Sequence, residues 1–211
     1  NFGTTLENGS QGTGDVSING GKIEIYASDD GLHADRNMNI DGGEINITHA
    51  YEGIEGNLIN INGGTTKVFA TDDGINGANK ANITPLITVK GGLLDITVNG
   101  NDVDGIDSNG SYQQLGGIVI SRGYGTNRMS TGLDVDGTAT LSGGTMILFG
   151  QPEKTPTLSN GAVSKTISGT YGAGTWEFTC GTTKIETVNQ YSHSGVYIYS
   201  TLGADWNVVK K

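Results

Sequence analysis

The sequence predicts an all-β fold: a three-sided parallel β-helix over residues 1–150, followed by a β-rich cap over residues 151–211. Three observations predict it, namely a glycine-rich composition, a recurring pair of glycines, and a period-two alternation of apolar residues around each pair. Glycine supplies 36 of the 211 residues and proline only 3, without the three-residue glycine period of collagen, so many turns are expected. Charged residues make up only 16%, which excludes the charge-rich composition of a disordered chain.

A pair of glycines recurs through the first two thirds of the chain. Successive pairs stand 21 to 28 residues apart, a spacing typical of one turn of a solenoid. The pairs are Gly20-Gly21, Gly42-Gly43, Gly63-Gly64, Gly91-Gly92, Gly116-Gly117 and Gly143-Gly144. Apolar residues alternate before and after each pair, as Val16 and Ile18, then Ile23 and Ile25, do in the first coil. This period is typical of strands with one buried face.

A third short strand follows an acid–glycine step in each coil, as in Asp30-Gly31-Leu32. Each coil therefore offers three strands, and stacked coils bury three columns of apolar side chains that no single coil could bury alone. The residues that we expect to face inward include Ile23, Ile45, Ile54, Ile61, Ile75, Leu94 and Ile106. One coil departs from the pattern: Tyr112 and Gln114 occupy its apolar positions, which predicts a bulge or a changed register there.

The repeat ends near residue 151, where Pro152 and Pro156 open a loop. The runs 175–179, 183–188 and 195–199 are typical of antiparallel strands, and both tryptophans, Trp176 and Trp206, lie in this part of the chain. Because the open end of a solenoid needs a cover, we interpret this part as a cap. A separate sugar-binding module is the alternative.

The excess negative charge is local. The net charge is −10, and residues 29 to 136 contain 15 acidic and 6 basic residues. A phosphate backbone would be repelled, so nucleic acid is excluded as the expected partner, and cations are expected instead. No apolar run is long enough to cross a membrane, and the single Cys180 excludes an internal disulfide bond.

Alignment of the coils on the glycine after each acid stacks carboxylates into columns. One column contains Asp30, Glu52, Asp73 and Asp104, and its neighbour contains His33, Glu55, Asn76, Asp107 and Asp134. Stacked carboxylates about 5 Å apart repel one another unless protons or cations intervene. Ca²⁺ suits such a set of oxygen ligands better than Zn²⁺, although Asp-Gly is also an ordinary turn dipeptide. The predicted calcium ligands are Asp30, Asp35, Glu52, Glu55, Asp72, Asp73, Asp102, Asp104, Asp107, Asp134 and Asp136.

Five stretches of the sequence together resemble a bacterial family of extracellular β-helix proteins that carry a carbohydrate-binding domain. The resemblance rests on residues 29–35, 40–48, 51–56, 71–76 and 132–145. It implies a right-handed parallel β-helix with a shape like that of pectate lyases, bound Ca²⁺, and binding of cellulose or pectin-like acid polysaccharides. It also implies a secreted or cell-surface location and no established catalysis.

The favoured function is noncatalytic, calcium-stabilised binding of a plant-type polysaccharide by a monomer. Tyr26 and Phe69 lie outward on one face two coils apart, so they can stack on sugar rings, and Lys67 lies beside Phe69. One alternative is a calcium-dependent polysaccharide lyase, which would need a basic residue near the ion. The bases considered for that role are Arg36, Lys67, Lys80, Arg122 and Arg128. The other alternative is an adhesin or spacer domain.

Overall fold

The computed structural model describes residues 14–124 and 129–211, so Arg128 and residues 1–13 lie outside the described residues. The described residues form strands and no helix, and none of them forms a segment of helix that could cross a membrane. The strands are β1 Val16–Ile18, β2 Lys22–Tyr26, β3 Leu32–Ile40, β4 Glu44–His49, β5 Ile54–Ile61, β6 Thr65–Ala70, β7 Ile75–Gly77, β8 Leu86–Val89, β9 Leu93–Asn99, β10 Ile106–Ser108, β11 Ser111–Tyr124, β12 Ala139–Phe149, β13 Thr157–Leu158, β14 Val163–Tyr171, β15 Gly174–Cys180, β16 Thr183–Asn189, β17 His193–Ser200 and β18 Asn207–Lys210.

Parallel pairing stacks these strands into a three-sided solenoid of about five turns, which confirms the predicted fold class. The first face stacks β1, the second halves of β3 and β5, β8, and the starts of β11 and β12. The second face stacks β2, β4, β6, β9 and the second halves of β11 and β12. The third face stacks the starts of β3 and β5 with β7 and β10. The right-handed sense of the coil stays a prediction.

The interior of the solenoid is the main hydrophobic core. Six of the seven residues predicted to face inward are at most 1% exposed; Ile23, in the first described coil, is partly buried against the same core. Of their neighbours, Glu24 is exposed and Asn46 is half-buried, so neither lies in the core. This confirms the predicted register. Side chains that alternate with the core residues therefore project from the faces, where they are available to a ligand.

The second glycine of each pair sets the repeat by its backbone conformation. Gly64, for example, has φ of +82°, and a Cβ atom on it would lie 2.6 Å from the carbonyl oxygen of Gly43 in the neighbouring coil. Only glycine fits both the left-handed conformation and this close approach. The glycine column thus lets the coils stack with their backbone groups paired between the first and second faces.

The coil with Tyr112 and Gln114 keeps both side chains inside the solenoid. Tyr112 is 1% exposed and Gln114 fully buried; the Tyr112 hydroxyl donates to Oε1 of Gln114 over 3.0 Å, and Nε2 of Gln114 donates to the carbonyl of Thr145 over 3.1 Å. The register against β12 shifts directly after Gln114. The predicted change of register is therefore confirmed, and mutual hydrogen bonding makes two polar side chains compatible with the core.

The C-terminal strands continue the second face and also pack against its outer side. β17 pairs antiparallel with β12, and β14 pairs antiparallel with β17, so they extend the sheet past the last coil. β15, β16 and β18 form a separate antiparallel sheet, which encloses a second hydrophobic core with Ile120 and Phe149 of the solenoid. Trp176 and Trp206 are buried in this core, so neither indole is a surface platform for a ligand. The division into domains at residue 150 stays a prediction.

Candidate functional site

Three aromatic rings on the second face form a ladder across successive coils. Tyr26 is 79% exposed and stacks on His49, with ring centroids 4.9 Å apart and planes 27° apart. The His49 ring lies 6.4 Å from that of Phe69 in the next coil. The planes of His49 and Phe69 are 53° apart, so the three rings form a stepped, partly apolar surface along the solenoid axis.

His49 is the rung that the sequence reasoning missed. Strict alternation from Ile47 places Thr48, not His49, beside Tyr26. The structure contains a bulge here: Ile25 pairs with Ile47 and Tyr26 pairs with His49, so Thr48 is the extra residue. The Thr48 hydroxyl donates to the carbonyl of Ile25 over 2.9 Å, and Nδ1 of His49 donates to the carbonyl of Ala27 over 3.0 Å. The bulge thus re-aims one side chain onto the ladder, as bulges commonly do.

A cleft of about 590 Å³ continues from this ladder. Its floor is the outer side of the second face and includes Lys67 and Phe69, while its wall is the edge of the β15–β16 hairpin with Thr187, Val188 and Gln190. Tyr26 does not line the cleft, but His49 connects it to Phe69. The three predicted ligand residues therefore lie on one continuous surface of ladder and cleft, which we name the second-face groove.

A buried ion pair anchors the wall of the second-face groove to its floor. Arg122 is 1% exposed, and its Nη1 donates to Oδ1 of Asp95 over 2.6 Å while its Nη2 donates to the Thr187 hydroxyl over 2.6 Å. That hydroxyl in turn donates to Oδ2 of Asp95 over 2.8 Å. Lys67, by contrast, is exposed and forms no ion pair within residues 14–124 and 129–211. Lys67 is thus a cation of the groove that remains available to an anionic group.

The first predicted acidic column lies along the corner that precedes the third face, and the second lies on the outer side of that face. We name the two columns together the acidic corner. Backbone hydrogen bonds of 2.9 Å join Gly31 to Glu52, Gly53 to Asp73 and Gly74 to Asp104, so the first column stacks coil on coil. The second column follows the strand register, in which His33 pairs with Glu55, Glu55 with Asn76 and Asn76 with Asp107. The two ends of this acidic corner differ in their counter-charges.

At one end, His33 bridges three carboxylates. Its Nδ1 lies 2.7 Å from Asp30 and 2.6 Å from Glu55, and its Nε2 lies 3.2 Å from Asp35. Lys80 adds a second cation 2.8 Å from Glu55. The hydrogen bond to Asp30, followed by that to Glu55, raises the pKa of His33 to about 10, so the imidazole is a cation at neutral pH. A doubly protonated ring cannot ligate a metal, so here the two cations His33 and Lys80 offset two of the three negative charges of Asp30, Asp35 and Glu55.

At the other end, carboxylates face one another. One oxygen from each of Asp104, Asp107 and Asp134 lies within 4.8 Å of the others. Burial, with repulsion from neighbouring acids, raises the pKa of Asp73 to about 8, of Asp104 to about 7 and of Asp107 to about 6. No basic side chain of the described ranges forms an ion pair with these acids. We name Asp73, Asp104, Asp107 and Asp134 the acidic cluster.

The donor set of the acidic cluster fits Ca²⁺. Ligand oxygens at about 2.3–2.6 Å from such an ion stand up to about 5 Å apart, which accommodates the observed spacing. Asn76, in the same column as Asp107, is 9% exposed, and its Oδ1 has no hydrogen-bond partner among the described residues. Oε2 of Glu52 is likewise buried without a partner, and Asn76 donates to the other oxygen of Glu52 over 2.8 Å. Asn76 is therefore a candidate ligand that the predicted set omitted.

The remaining predicted ligands contribute less to this corner. Asp102 and Asp136 are exposed, and Asp102 has a left-handed φ of +59° at the tip of a turn. Asp72 is half-buried and accepts a hydrogen bond from Tyr51, which raises the pKa of that phenol. Among the bases considered for a lyase, Arg36 pairs with Asp15 over 2.7 Å and Lys80 with Glu55. Lys67 lies on a different face from the acidic cluster.

Comparison with known proteins gives one match. A family model described as "Carbohydrate-binding domain-containing protein" matches residues 3–53, a segment that includes β1 to β4 and two rungs of the aromatic ladder, Tyr26 and His49. No curated protein and no solved structure matches the chain. The match to the family model supports a carbohydrate-binding domain.

Proposed function

We propose that the protein binds polysaccharides without turning them over, and that the second-face groove is the binding surface. The observation that carries this proposal is the Tyr26–His49–Phe69 ladder, which presents aromatic rings at the spacing of the coils along one outward face. Parallel stacking places the first and third rungs roughly 10 Å apart, a distance similar to that of a sugar repeat. The family match to a carbohydrate-binding domain supports the same conclusion.

The groove suits a polymer better than a single sugar. Tyr26 is highly exposed at one end, and the cleft beside Phe69 offers polar groups of the floor and the hairpin wall at the other end. Each aromatic contact is weak, worth about 0.5–1.5 kcal/mol. A long chain that engages several rungs at once gains avidity, so we expect preference for long chains over short oligosaccharides.

The charge of the groove distinguishes two classes of polymer. Lys67 has no ion-pair partner within the described ranges, and it lies beside Phe69 in the floor. The carboxylate of a uronate would provide Lys67 with an ion-pair partner, whereas cellulose offers only hydroxyl groups. We propose that cellulose-like chains bind through the ladder and that pectin-like acid chains bind through the ladder together with Lys67.

We further propose that Ca²⁺ binds the acidic cluster and stabilises the solenoid. Asp104, Asp107 and Asp134 would hold the ion, with Asn76 as an additional oxygen donor. A bound divalent cation would supply the positive charge that these stacked carboxylates lack. At the His33 end, His33 and Lys80 offset most of the charge of Asp30, Asp35 and Glu55, so the proposed ion favours the acidic cluster.

A noncatalytic role fits the distribution of basic groups. β-Elimination at a uronate would require a Lys or Arg base next to a calcium ion. Arg36, Lys80 and Arg122 are each engaged in an ion pair, and Lys67 lies on a different face from the acidic cluster. We propose a monomer that acts outside the cell or at its surface, where polysaccharides are present.

Retention on insoluble cellulose and affinity electrophoresis in polygalacturonate test the proposed binding. We expect the parent protein to bind at least one polymer, and Tyr26→Ala to weaken binding by about 2- to 10-fold without loss of stability, since Tyr26 is exposed. Leu202→Ala, a truncation of a half-exposed apolar side chain outside the groove, is the control and should bind as the parent does. Binding to neither polymer, or a steady rise in the absorbance of unsaturated uronates, would overturn the proposal.

A further inference from the structure

A second cavity, of about 750 Å³, lies between the end of the solenoid and the start of β17. Its volume is within the range of about 300–1,000 Å³ that is common for small-molecule sites. The residues that matter for recognition are Tyr124, Gln151, Glu153, Ser192, His193 and Ser194. It shares no lining residue with the second-face groove.

His193 forms a largely buried part of the wall of this cavity. The side chain is 7% exposed, and its Nε2 has no hydrogen-bond partner among the described residues. The ring is held between Tyr124 and Phe149, at centroid distances of 6.0 and 5.7 Å. Burial, together with the charge of Arg122, lowers the pKa of His193 to about 4, so the imidazole is neutral at physiological pH. Because Nε2 itself is closed off from the cavity, the ring contributes a rigid wall next to Tyr124, and its resonance can report on what binds there.

Tyr124 forms an aromatic wall of the same cavity. One side of its ring is stacked on Tyr191, with centroids 4.3 Å apart and planes only 9° apart. Tyr191 is itself held by Asn99, whose Nδ2 donates to the Tyr191 hydroxyl over 2.9 Å. Tyr124 nevertheless remains 36% exposed. The cavity thus combines a supported ring with small polar groups, which is a suitable lining for the apolar face and the hydroxyls of a sugar.

The charge of the lining selects against anions. Glu153 is the one charged side chain among the described residues that line the cavity. Behind the wall, the backbone N–H and the hydroxyl of Thr131 both donate to Oδ1 of Asp104 over 2.7 Å, so the acidic cluster lies close by. We propose that this cavity is a second carbohydrate site that takes a neutral sugar unit and rejects uronates. It is independent of the binding proposed for the second-face groove.

The three histidines of the chain provide one reporter for each site, which separates the two proposals. His49 lies in the aromatic ladder, His193 in the second cavity, and His33 in the acidic corner. The imidazole resonances of these residues, assigned with single-histidine substitutions, can be followed by NMR during titration with cellobiose and, separately, with digalacturonate.

We expect cellobiose to shift the His193 resonance saturably and digalacturonate to leave it in place. Tyr124→Leu should weaken the His193 response by about 2-fold or more, while Tyr26→Ala should leave it unchanged. If cellobiose shifts His49 alone, the second cavity is not a sugar site and the groove proposal stands. An unmoved His193 at concentrations that saturate the groove, or an equal response to digalacturonate, would overturn this inference.

Discussion

His33 and Glu55 form an ion pair between neighbouring coils, with Nδ1 of His33 2.6 Å from Oε2 of Glu55. The same imidazole contacts Asp30 and Asp35, so one cation serves three carboxylates in two coils. Three coils along the chain, Asp104, Asp107 and Asp134 have no such partner within the described residues. The acidic corner thus combines an end whose charge the protein itself offsets in large part with an end that contains only carboxylates.

Removal of the imidazole should destabilise the solenoid. In His33→Gln, three clustered carboxylates lose their shared cation, and breaking a buried pair typically costs 3–5 kcal/mol. Because the His33 side chain is 14% exposed, we expect a smaller loss of about 2–4 kcal/mol in the free energy of unfolding, measured in urea. His49→Gln, on the exposed ladder, is the control and should change stability little. Equal losses for the two variants would contradict the bridging role of His33.

The contribution of His33 should disappear at high pH. Its pKa is raised in the folded protein from 6.5 to about 10, so its stabilising effect is complete below about pH 6.5 and is lost as the pH rises through 10. The measurable quantity is the difference in melting temperature between the parent and His33→Gln, both in chelator. We expect this difference to be constant from pH 5 to about 6.5 and then to shrink towards pH 10–11. A difference in melting temperature that grows with pH would contradict the stabilising role of the His33 cation.

Asp107→Asn should raise the stability of the protein in chelator and reduce the stabilisation that calcium provides. Burial raises the pKa of Asp107 from 3.8 to about 6, so its favourable contribution is lost as the pH rises through 6 and the ionised form is repelled by its neighbours. In chelator at pH 8, the variant should be more stable than the parent by about 1 kcal/mol. In excess calcium, it should gain less stability than the parent, because a charged ligand is missing.

The exposed Asp205, which lies outside the acidic columns, provides the control for this pair of measurements, since Asp205→Asn should change neither value appreciably. Thermal melts of the three proteins at pH 5 and 8, with chelator and with calcium, give the whole comparison. A parent protein whose melting temperature ignores both calcium and chelator would argue against a structural ion at the acidic cluster.

Lys67→Met should weaken binding to polygalacturonate and spare binding to cellulose. An exposed ion pair is worth about 0.2–1 kcal/mol, which corresponds to a loss of up to about 5-fold in affinity. Salt screens such a contact, so the difference from the parent should vanish at high ionic strength. Lys165→Met, on the exposed strand β14, is the matched control. An equal loss on cellulose would indicate that Lys67 contributes packing and not charge.

Gly64→Ala should be more damaging than Gly161→Ala, although both glycines have nearly the same positive φ, +82° and +78°. Both substitutions incur the left-handed penalty of about 1–2 kcal/mol. Only Gly64 faces a neighbouring coil, where a Cβ would meet the Gly43 carbonyl oxygen at 2.6 Å; Gly161 has open space around it. We expect an additional loss of about 1–3 kcal/mol for Gly64→Ala, measured by urea unfolding. Similar losses of stability in the two variants would mean that neighbouring coils move apart to accommodate the added methyl group at residue 64.

Much of this protein was determined by its sequence alone, because the governing properties are local. Alternation decides which side of a strand each residue faces, and a glycine pair marks each turn, so the core residues Ile45 and Ile75 and the stacked acids could be placed from the sequence. The tertiary structure decided which acids carry a counter-ion, because Lys80 reaches Glu55 from an insertion whose path no periodicity encodes. It also decided that His49 stands between Tyr26 and Phe69, because a one-residue bulge at Thr48 overrides the alternation. The walls of both cavities likewise come from strands far along the chain, whose docking depends on buried contacts such as Arg122 with Thr187.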